Sequence, residues 1–485
     1  MEGCIIGRPF YTKIVRLYVI VTLLLFISHL SLISCKNRHN PNLSEKQLLS
    51  LMNDKKALSV QMSAQQLTMP EGYVPSAGVK YRQERDLSVA PAHIDIVKGI
   101  DHVRNVTLSQ IAKEITYINI GKHRTAVRSQ ITPRGILISS FDGVWLYAPD
   151  GQLIKEIYKN LCEYQMTIRS VTVKTGDKFR GVEHVRYNEK DDRLWVTFKE
   201  EELGNNFRGF LGYIDMGLQL NVSGSEIIQD PVVPLAEFGR GLMSYAEDFV
   251  IHRPYRPHNI LTTLSFFGDS LCRFTFGYDS ITAKAAATWR FSVDFGNNYM
   301  FRELYTFRNA FSDTLFRITA ANRLQPEYLL DLGTSGRATN QGKISDVQIE
   351  QMYIIQSLHE DDNYLYIRFR KNHDSPINRR SQTVHFWWGI YDKASREFFT
   401  LPIYSNSDPE DKGIENDIDG GLPFWPHEVG SQGEKYMYVS GENMKTMLTE
   451  TWFARSKTQQ SEKAAELKQF VQSLDDGDLV IIIVK

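Results

Sequence analysis

Phe311-Ser312-Asp313-Thr314-Leu315-Phe316-Arg317-Ile318-Thr319 runs on to Leu329-Leu330-Asp331-Leu332-Gly333, and an echo of it lies upstream. Phe267-Gly268-Asp269-Ser270-Leu271-Cys272-Arg273-Phe274-Thr275 carries the same order of residue types and ends in Phe291-Ser292-Val293-Asp294-Phe295-Gly296. Residues 314–319 are short, β-branched and aromatic, and they follow a Ser-Asp turn, so they read as a strand. A second strand at 328–332 lies between Pro326 and Gly333. The copies start 44 residues apart, from Asp269 to Asp313, which suits a propeller blade of about 40–50 residues. From the first to the second Asp is 25 residues in one copy and 18 in the other, as a loop insertion would give. A unit of this kind cannot bury its apolar face alone and implies stacked copies around a shared core. The alternative is a pair of unrelated hairpins in a β-sandwich.

Fainter copies flank the pair. Phe141-Asp142-Gly143-Val144-Trp145-Leu146-Tyr147 leads to a strand at 152–158, and Asp191-Asp192-Arg193-Leu194-Trp195-Val196-Thr197-Phe198 to one at 210–214. Asp361-Asp362-Asn363-Tyr364-Leu365-Tyr366-Ile367-Arg368-Phe369 leads to 384–391, and Lys435-Tyr436-Met437-Tyr438-Val439 is the last. Ile115 to Lys485 spans 371 residues, room for six blades of about 60 residues with long loops. The chain is 12% aromatic, with 23 Tyr and 26 Phe, which suits strands. The expected fold is all-β: a six-bladed β-propeller over 96–485, including a helix at 461–474 and a closing strand at 479–484. Ala464, Leu467, Phe470, Val471 and Leu474 give the helix one apolar face. Residues 479–484 are apolar throughout and too short to span a membrane. They read as a buried strand that must be covered and that meets the early strand 115–120 in the same or an adjacent blade.

The other end carries an address. Lys13 and Arg16 precede an apolar run from Leu17 to Leu32, a signal-peptide pattern. The run ends in Leu32-Ile33-Ser34-Cys35, which resembles a bacterial lipobox, with Cys35 as the lipidated residue. Residues 1–34 are thus the expected lipoprotein signal and 35–95 a tether and lead-in segment. Several acyl chains hold a membrane firmly where one does not. A net charge of −1 gives no field to draw nucleic acid, so none is expected as a partner. Cys162 and Cys272 alone remain for the folded part, neither a disulfide framework nor a zinc spacing.

Together the turn-strand copies, the lipobox, the Asp313–Gly333 unit, the final helix and strand, and Asn416-Asp417-Ile418-Asp419-Gly420-Gly421-Leu422-Pro423-Phe424-Trp425-Pro426 resemble one family. It is the six-bladed β-propeller lipoproteins of Bacteroidota-type bacteria, domains of unknown function. The resemblance implies a lipid-anchored protein of the cell envelope at the outer membrane, and no catalytic residue. Lys36-Asn37-Arg38 is basic where surface-displayed members carry acidic residues, which implies the periplasmic face.

Three stretches are candidate sites. Counting Glu415 as position 1 of a calcium loop puts Pro426 at position 12, where a bidentate Glu is required, so no EF-hand and no metal site is expected. Asn416, Asp417 and Asp419 before Gly420-Gly421, with Trp425, read either as a pocket rim with acidic acceptors or as a structural plug. His252-Arg253-Pro254-Tyr255-Arg256-Pro257-His258 reads as a basic loop, with Arg253 and Arg256 able to hold an anion, or as plain surface. Ser140-Phe141-Asp142-Gly143-Val144-Trp145 is one residue short of a sialidase Asp-box. No catalytic set and no cofactor are legible. The expected function is a membrane-anchored propeller that binds a ligand or an envelope protein. The alternative is a propeller-type glycan hydrolase or lyase, which needs two facing carboxylates.

The lipobox generates a direct expectation. Cys35→Ala should leave an unlipidated precursor, read by metabolic labelling with a clickable fatty acid. Equal label on wild type and variant would count against lipidation at Cys35.

Overall fold

Two short parallel strands open the folded chain: β1 (Glu84–Arg85) and β2 (Ala92–Asp95). Helical turns α1 (Ile96–Gly99) and α2 (Leu108–Ile111) follow, then β3 (Ile115–Lys122). The computed structural model describes residues 78–485 apart from 123–127, 141–142, 160–164, 168–169, 173–178, 189–191, 203–205, 217–232, 239–240, 247, 255–259, 267, 277–296, 303, 309–312, 334–352, 372–384, 403–412, 431–432, 457 and 459. The signal, Cys35, Phe141-Asp142, Cys162, Arg256 and the segment 291–296 lie outside the described residues.

From β4 onward the chain lays down four-stranded antiparallel sheets in sequence order. Blade one is β4 (Arg128–Thr132), β5 (Gly135–Ser140), β6 (Gly143–Tyr147) and β7 (Leu153–Lys159). A two-stranded ribbon, β8 (Gln165–Thr167) and β9 (Ser170–Thr172), intervenes. Blade two is β10 (Phe179–Asn188), β11 (Arg193–Glu202), β12 (Asn206–Asp215) and β13 (Val233–Phe238). Blade three is β14 (Gly241–Tyr245), β15 (Val250–Pro254), β16 (Ile260–Leu264) and β17 (Ser270–Thr275). Blade four is β18 (Asn298–Phe301), β19 (Leu304–Arg308), β20 (Thr314–Ala320) and β21 (Arg323–Asp331). Its outer edge is covered by β1 and β2, both parallel to β21. Blade five is β22 (Tyr353–Glu360), β23 (Tyr364–Lys371), β24 (His385–Asp392) and β25 (Glu397–Thr400). Blade six joins β26 (Glu428–Val429), β27 (Lys435–Ser440) and the C-terminal β28 (Asp478–Val484) to β3 from the N-terminal end. Helices α3 (Gly441–Met447), α4 (Glu450–Arg455) and α5 (Ser461–Ser473) fill the connection from β27 to β28.

The chain is a six-bladed β-propeller, as its sequence leads one to expect, with the C-terminal helix and closing strand in place. The repeat is another matter. The stretch 270–275 is the fourth strand of blade three, whereas 314–319 lies in the third strand of blade four. Residues 193–198 and 364–369 lie in second strands. The echo is therefore a turn-strand idiom rather than a blade register. Any strand packed on a core after a tight turn needs the same polar start and period-2 alternation, so the pattern recurs wherever those demands do.

The strand β28 explains its own composition. Val480, Ile482 and Val484 enter the core between blades five and six. Ile481 and Ile483 enter the core between blades six and one. A strand buried on both faces reads as a continuous apolar run, and each such side chain contributes about 1.5–3 kcal/mol. Pairing with β27 on one side and β3 on the other leaves it no free edge. Apolar clusters likewise fill the gaps between blades one and two, three and four, and four and five. Between blades two and three, Trp195 stacks on Phe266 at 4.2 Å and on Tyr245 at 6.4 Å.

Polar rivets set the blades' relative position. Glu360, at the end of β22, is 1% exposed. Its carboxylate accepts from Tyr299 Oη at 2.8 Å, Tyr328 Oη at 2.7 Å, Arg317 Nη2 at 2.6 Å and Lys393 Nζ at 2.7 Å. Three of the four belong to blade four. The next residue, Asp361, accepts from Lys435 Nζ of blade six at 3.0 Å and from Tyr366 Oη at 3.0 Å. Burial, then the Glu360 charge, holds the Tyr299 and Tyr328 phenols far above their ordinary range. A buried pair broken by losing one partner costs about 3–5 kcal/mol, because the other charge stays behind. Glu360→Gln should therefore destabilise by about that much. Tyr328→Phe, which removes one bond to a charged acceptor, should cost about 1.5–3 kcal/mol. Urea midpoints would measure both, and a Glu360→Gln effect no larger than that of Tyr328→Phe would argue against the rivet.

Candidate functional site

The innermost strands of the six blades surround one cavity of about 400 Å³. Arg128, Ser129 and Gln130 come from β4, Arg186 from β10, Ser244 and Tyr245 from β14, and Asn298 and Tyr299 from β18. Blade five supplies His359 and Glu360, and blade six His427 and Glu428, with Arg302 from the turn after β18. Each inner strand is the edge of its sheet and has one side without a backbone partner, and side chains close gaps between blades. Gln130 Oε1 accepts the Tyr187 amide at 3.0 Å, and its Nε2 donates to the Tyr187 carbonyl at 3.4 Å. Arg186 donates to the Tyr245 carbonyl. Tyr438 Oη accepts the Ser129 amide at 3.0 Å and donates to Glu428 Oε2 at 2.5 Å.

Around that cavity the turns after first strands are linked as well. Arg134 Nε donates to Asp192 Oδ1 at 2.8 Å, tying blade one to blade two. Arg302 Nε donates to Asp362 Oδ1 at 2.9 Å, tying blade four to blade five. Asp192 and Arg302 both have positive φ, 51° and 45°, the left-handed geometry of a tight turn.

Burial pushes the His359 imidazole down to about 3, with the neighbouring His427 adding repulsion. Burial pushes His427 down to about 4, with Arg368 adding to it. His427 is exposed to the cavity, and the protein packed around it still disfavours the charged ring. Its Nδ1 accepts from the Tyr438 amide at 3.3 Å, so the neutral ring carries its proton on Nε2. Burial raises the Glu428 carboxyl against the Tyr438 and Ser129 hydrogen bonds and the Arg128 charge, which lower it. Among the described residues no three His, Cys, Asp or Glu side chains are placed to hold a metal ion. None of their helices is long and apolar enough to cross a membrane.

The stretch 416–426 does not line the cavity. Asn416 is 4% exposed, Asp419 2% and Trp425 3%. The Asp417 carboxylate accepts from the Ser109 amide at 2.9 Å and Ser109 Oγ at 2.6 Å, at the start of α2. Burial works against that carboxyl, and the Ser109 bonds hold it below the usual carboxylate range. Asp419 Oδ1 accepts from Asn416 Nδ2 at 2.7 Å, the Gly421 amide at 3.0 Å and Tyr117 Oη at 3.2 Å, and burial leaves its carboxyl raised. Gly420 sits at φ +73°, and a Cβ there would lie 2.6 Å from Ser456 Oγ. A Cβ at Gly421 would lie 2.4 Å from Tyr117 Oη. The glycines admit neighbours of the same chain. Trp425 meets Tyr366 edge-on at 5.7 Å in the core of blades five and six.

Arg253 is likewise separated from that group. His252, Arg253 and Pro254 lie in β15 rather than in a loop, and Arg253 is 4% exposed beside Tyr305. The period-2 burial of a strand accounts for this, since Ile251 and Arg253 share neither face nor neighbours with His252 across the pleat. Cys272 is fully buried, and burial pushes its thiol up to about 11, an ordinary core residue as its sequence suggests. The cavity residues carried no sequence motif, because they come in short groups from all six blades. Two singled-out stretches stop one residue away: Trp425-Pro426 precedes His427-Glu428, and Asp361-Asp362 follows His359-Glu360.

The imidazoles give a signed pH dependence. A histidine whose folded pKa lies below its unfolded value of about 6.5 stabilises fully above that value and loses the contribution as pH falls. Glu428, raised in the fold, acts oppositely above about 4.5, so the variant difference isolates the histidines. The melting temperature should fall between pH 7 and pH 4.5, and less steeply in the double variant His359→Gln, His427→Gln. Equal slopes in both proteins would contradict the assignment.

No curated protein matches the chain. Among solved structures it is similar to the N-terminal domain of Nup159, at 10% identity over 72% of this chain and 77% of that one, with a TM-score of 0.35. It is similar to the soluble aldose sugar dehydrogenase of Escherichia coli, at 10% identity over 77% of this chain and 99% of that one, with a TM-score of 0.32. A GH43_1 enzyme from Xanthomonas citri, solved with xylotriose, is similar at 8% identity over 62% of this chain and 97% of that one, with a TM-score of 0.27. Likeness at this level says nothing of what the chain binds. A family profile described as a domain of unknown function, DUF4933, matches residues 76–450, and the chain belongs to that family.

Proposed function

We propose that this chain is a non-catalytic binding propeller whose ligand, a small polar solute, sits in the axial cavity. In this reading a lipid on Cys35 holds it at the outer membrane of a bacterial envelope, facing the periplasm, and no cofactor takes part. The observation that carries the reading is the cavity itself, to which all six blades give polar side chains. A concave site with a few convergent polar groups is the usual form of a small-molecule site. The hydrolase or lyase alternative calls for two available carboxylates. Of the two that line the cavity among the described residues, Glu360 is occupied by four partners, which leaves Glu428. Asn416, Asp417, Asp419, Gly420, Gly421 and Trp425 serve here as the plug that ties α2 to the β3 strand of blade six, and Arg253 as support for Tyr305.

The test uses the soluble form lacking residues 1–35 and a thermal-shift panel of neutral hexoses, uronic acids, small organic acids and nucleotides. At one hundred times its Kd a ligand stabilises by about 2.7 kcal/mol, a shift of several degrees. Ser244→Trp, which fills the cavity, should abolish that shift. A panel without one responsive compound, or a response unchanged by Ser244→Trp, would overturn the reading.

A further inference from the structure

The hydrogen bonds that close the inner ring leave three groups over on the cavity wall. His427 spends Nδ1 on the Tyr438 amide, so its Nε2–H is left as a donor to the cavity. Glu428 spends Oε2 on the Tyr438 hydroxyl and the Ser129 amide, and no hydrogen bond from the described residues reaches Oε1, which is left as an acceptor. His359, on the neighbouring inner strand β22, lines the same cavity and makes no side-chain hydrogen bond within the described residues. Burial keeps both imidazoles neutral at pH 7, with values of about 3 and about 4. A neutral imidazole offers one donor and one acceptor. The set left to a ligand is therefore mixed, two donors and two acceptors.

The other charged side chains at the wall are engaged with the protein. Glu360 is filled by four donors. Arg302 is paired with Asp362 at 2.8 Å, Arg186 donates to the Tyr245 carbonyl, and the Arg128 charge acts on Glu428. Leu137, Val185 and Met300 add apolar surface.

A ligand must answer the mixed set or leave part of it unpaired, which costs affinity. An oxyanion brings acceptors alone and would meet the Glu428 oxygen. An ammonium brings donors alone. A hydroxyl both donates and accepts, and the C–H faces of a sugar ring suit the apolar part of the wall. Resting on the axial cavity as the ligand site, we infer that its ligand is an uncharged cyclic polyol, a sugar whose hydroxyls are held by His359, His427 and Glu428 where blades five and six reach the axis.

Isothermal titration of the soluble form at pH 7 tests this with D-glucose, D-galactose, D-xylose, the uronates of the two hexoses, inorganic phosphate and uridine. At least one neutral sugar should bind more tightly than every other class of probe, by a factor of about ten or more. His359→Leu and His427→Leu should each weaken that binding about tenfold, the worth of one hydrogen bond. His359→Gln, whose amide keeps both a donor and an acceptor, should stay within about threefold of wild type, which separates lost recognition from lost folding. A uronate, phosphate, uridine or other non-sugar of the wider panel that binds most tightly, and is lost in Ser244→Trp, would overturn the neutral sugar and leave the axial site standing. Sugar binding that survives both Leu substitutions would place the hydroxyls elsewhere and overturn the inference. No binding of any probe, together with a silent wider panel, would overturn both readings.

Discussion

The structure depends on a carboxylate with nowhere else to go. Glu360 is sealed between blades four and five, and an unpaired charge there would cost several kcal/mol. Four donors from β18, β20, β21 and the end of β24 converge on it. Its neighbour Asp361 faces the other way, to Lys435 of blade six. Two adjacent residues therefore fix the angles of three blades. Apolar packing between blades is large but non-directional. The rivets supply the direction, since a carboxylate accepting from four fixed donors tolerates little rotation.

Closure of the ring is a separate problem with a separate solution. The last sheet is finished by β3 from the far end of the sequence, so unfolding of one terminus exposes an edge at the other. Tyr436 and Tyr438 complete the seam. Their hydroxyls accept the Ile131 and Ser129 amides of β4 at 3.2 and 3.0 Å and donate to Glu434 and Glu428 at 2.7 and 2.5 Å. Buried backbone amides need partners, and here side chains of one blade serve the inner strand of the next. Glu428 and His427 thus stand at the cavity because they stand at the seam. The groups that close the ring also line the axial cavity.

The plug at 416–426 shows how the same residues can look like a site. Acidic side chains, paired glycines and a tryptophan are what a pocket rim needs. They are also what a tight turn needs when it must cap α2 through Asp417 and let Tyr117 and Ser456 approach within contact of the backbone. Composition is common to both. Burial and partners separate them, and both are properties of the packed chain.

What the sequence determined by itself is whatever depends on local order. The alternating runs after Asp192 and Asp361 became strands because a half-buried strand requires period 2. The all-apolar run ending at Val484 became a doubly covered strand, and residues 461–473 became a helix with one apolar face, for equally local reasons. The count of six blades followed from the turn-strand copies, one in each blade, and the length allowed it. Blade register did not, because the turn-strand idiom is the same for second, third and fourth strands. The cavity was decided by tertiary structure alone. Arg128, Arg186, Ser244, Asn298, His359 and Glu428 are spread over 300 positions of the chain. They meet because each is carried by or beside the innermost strand of its blade, and closing a circle of blades brings those strands to the axis.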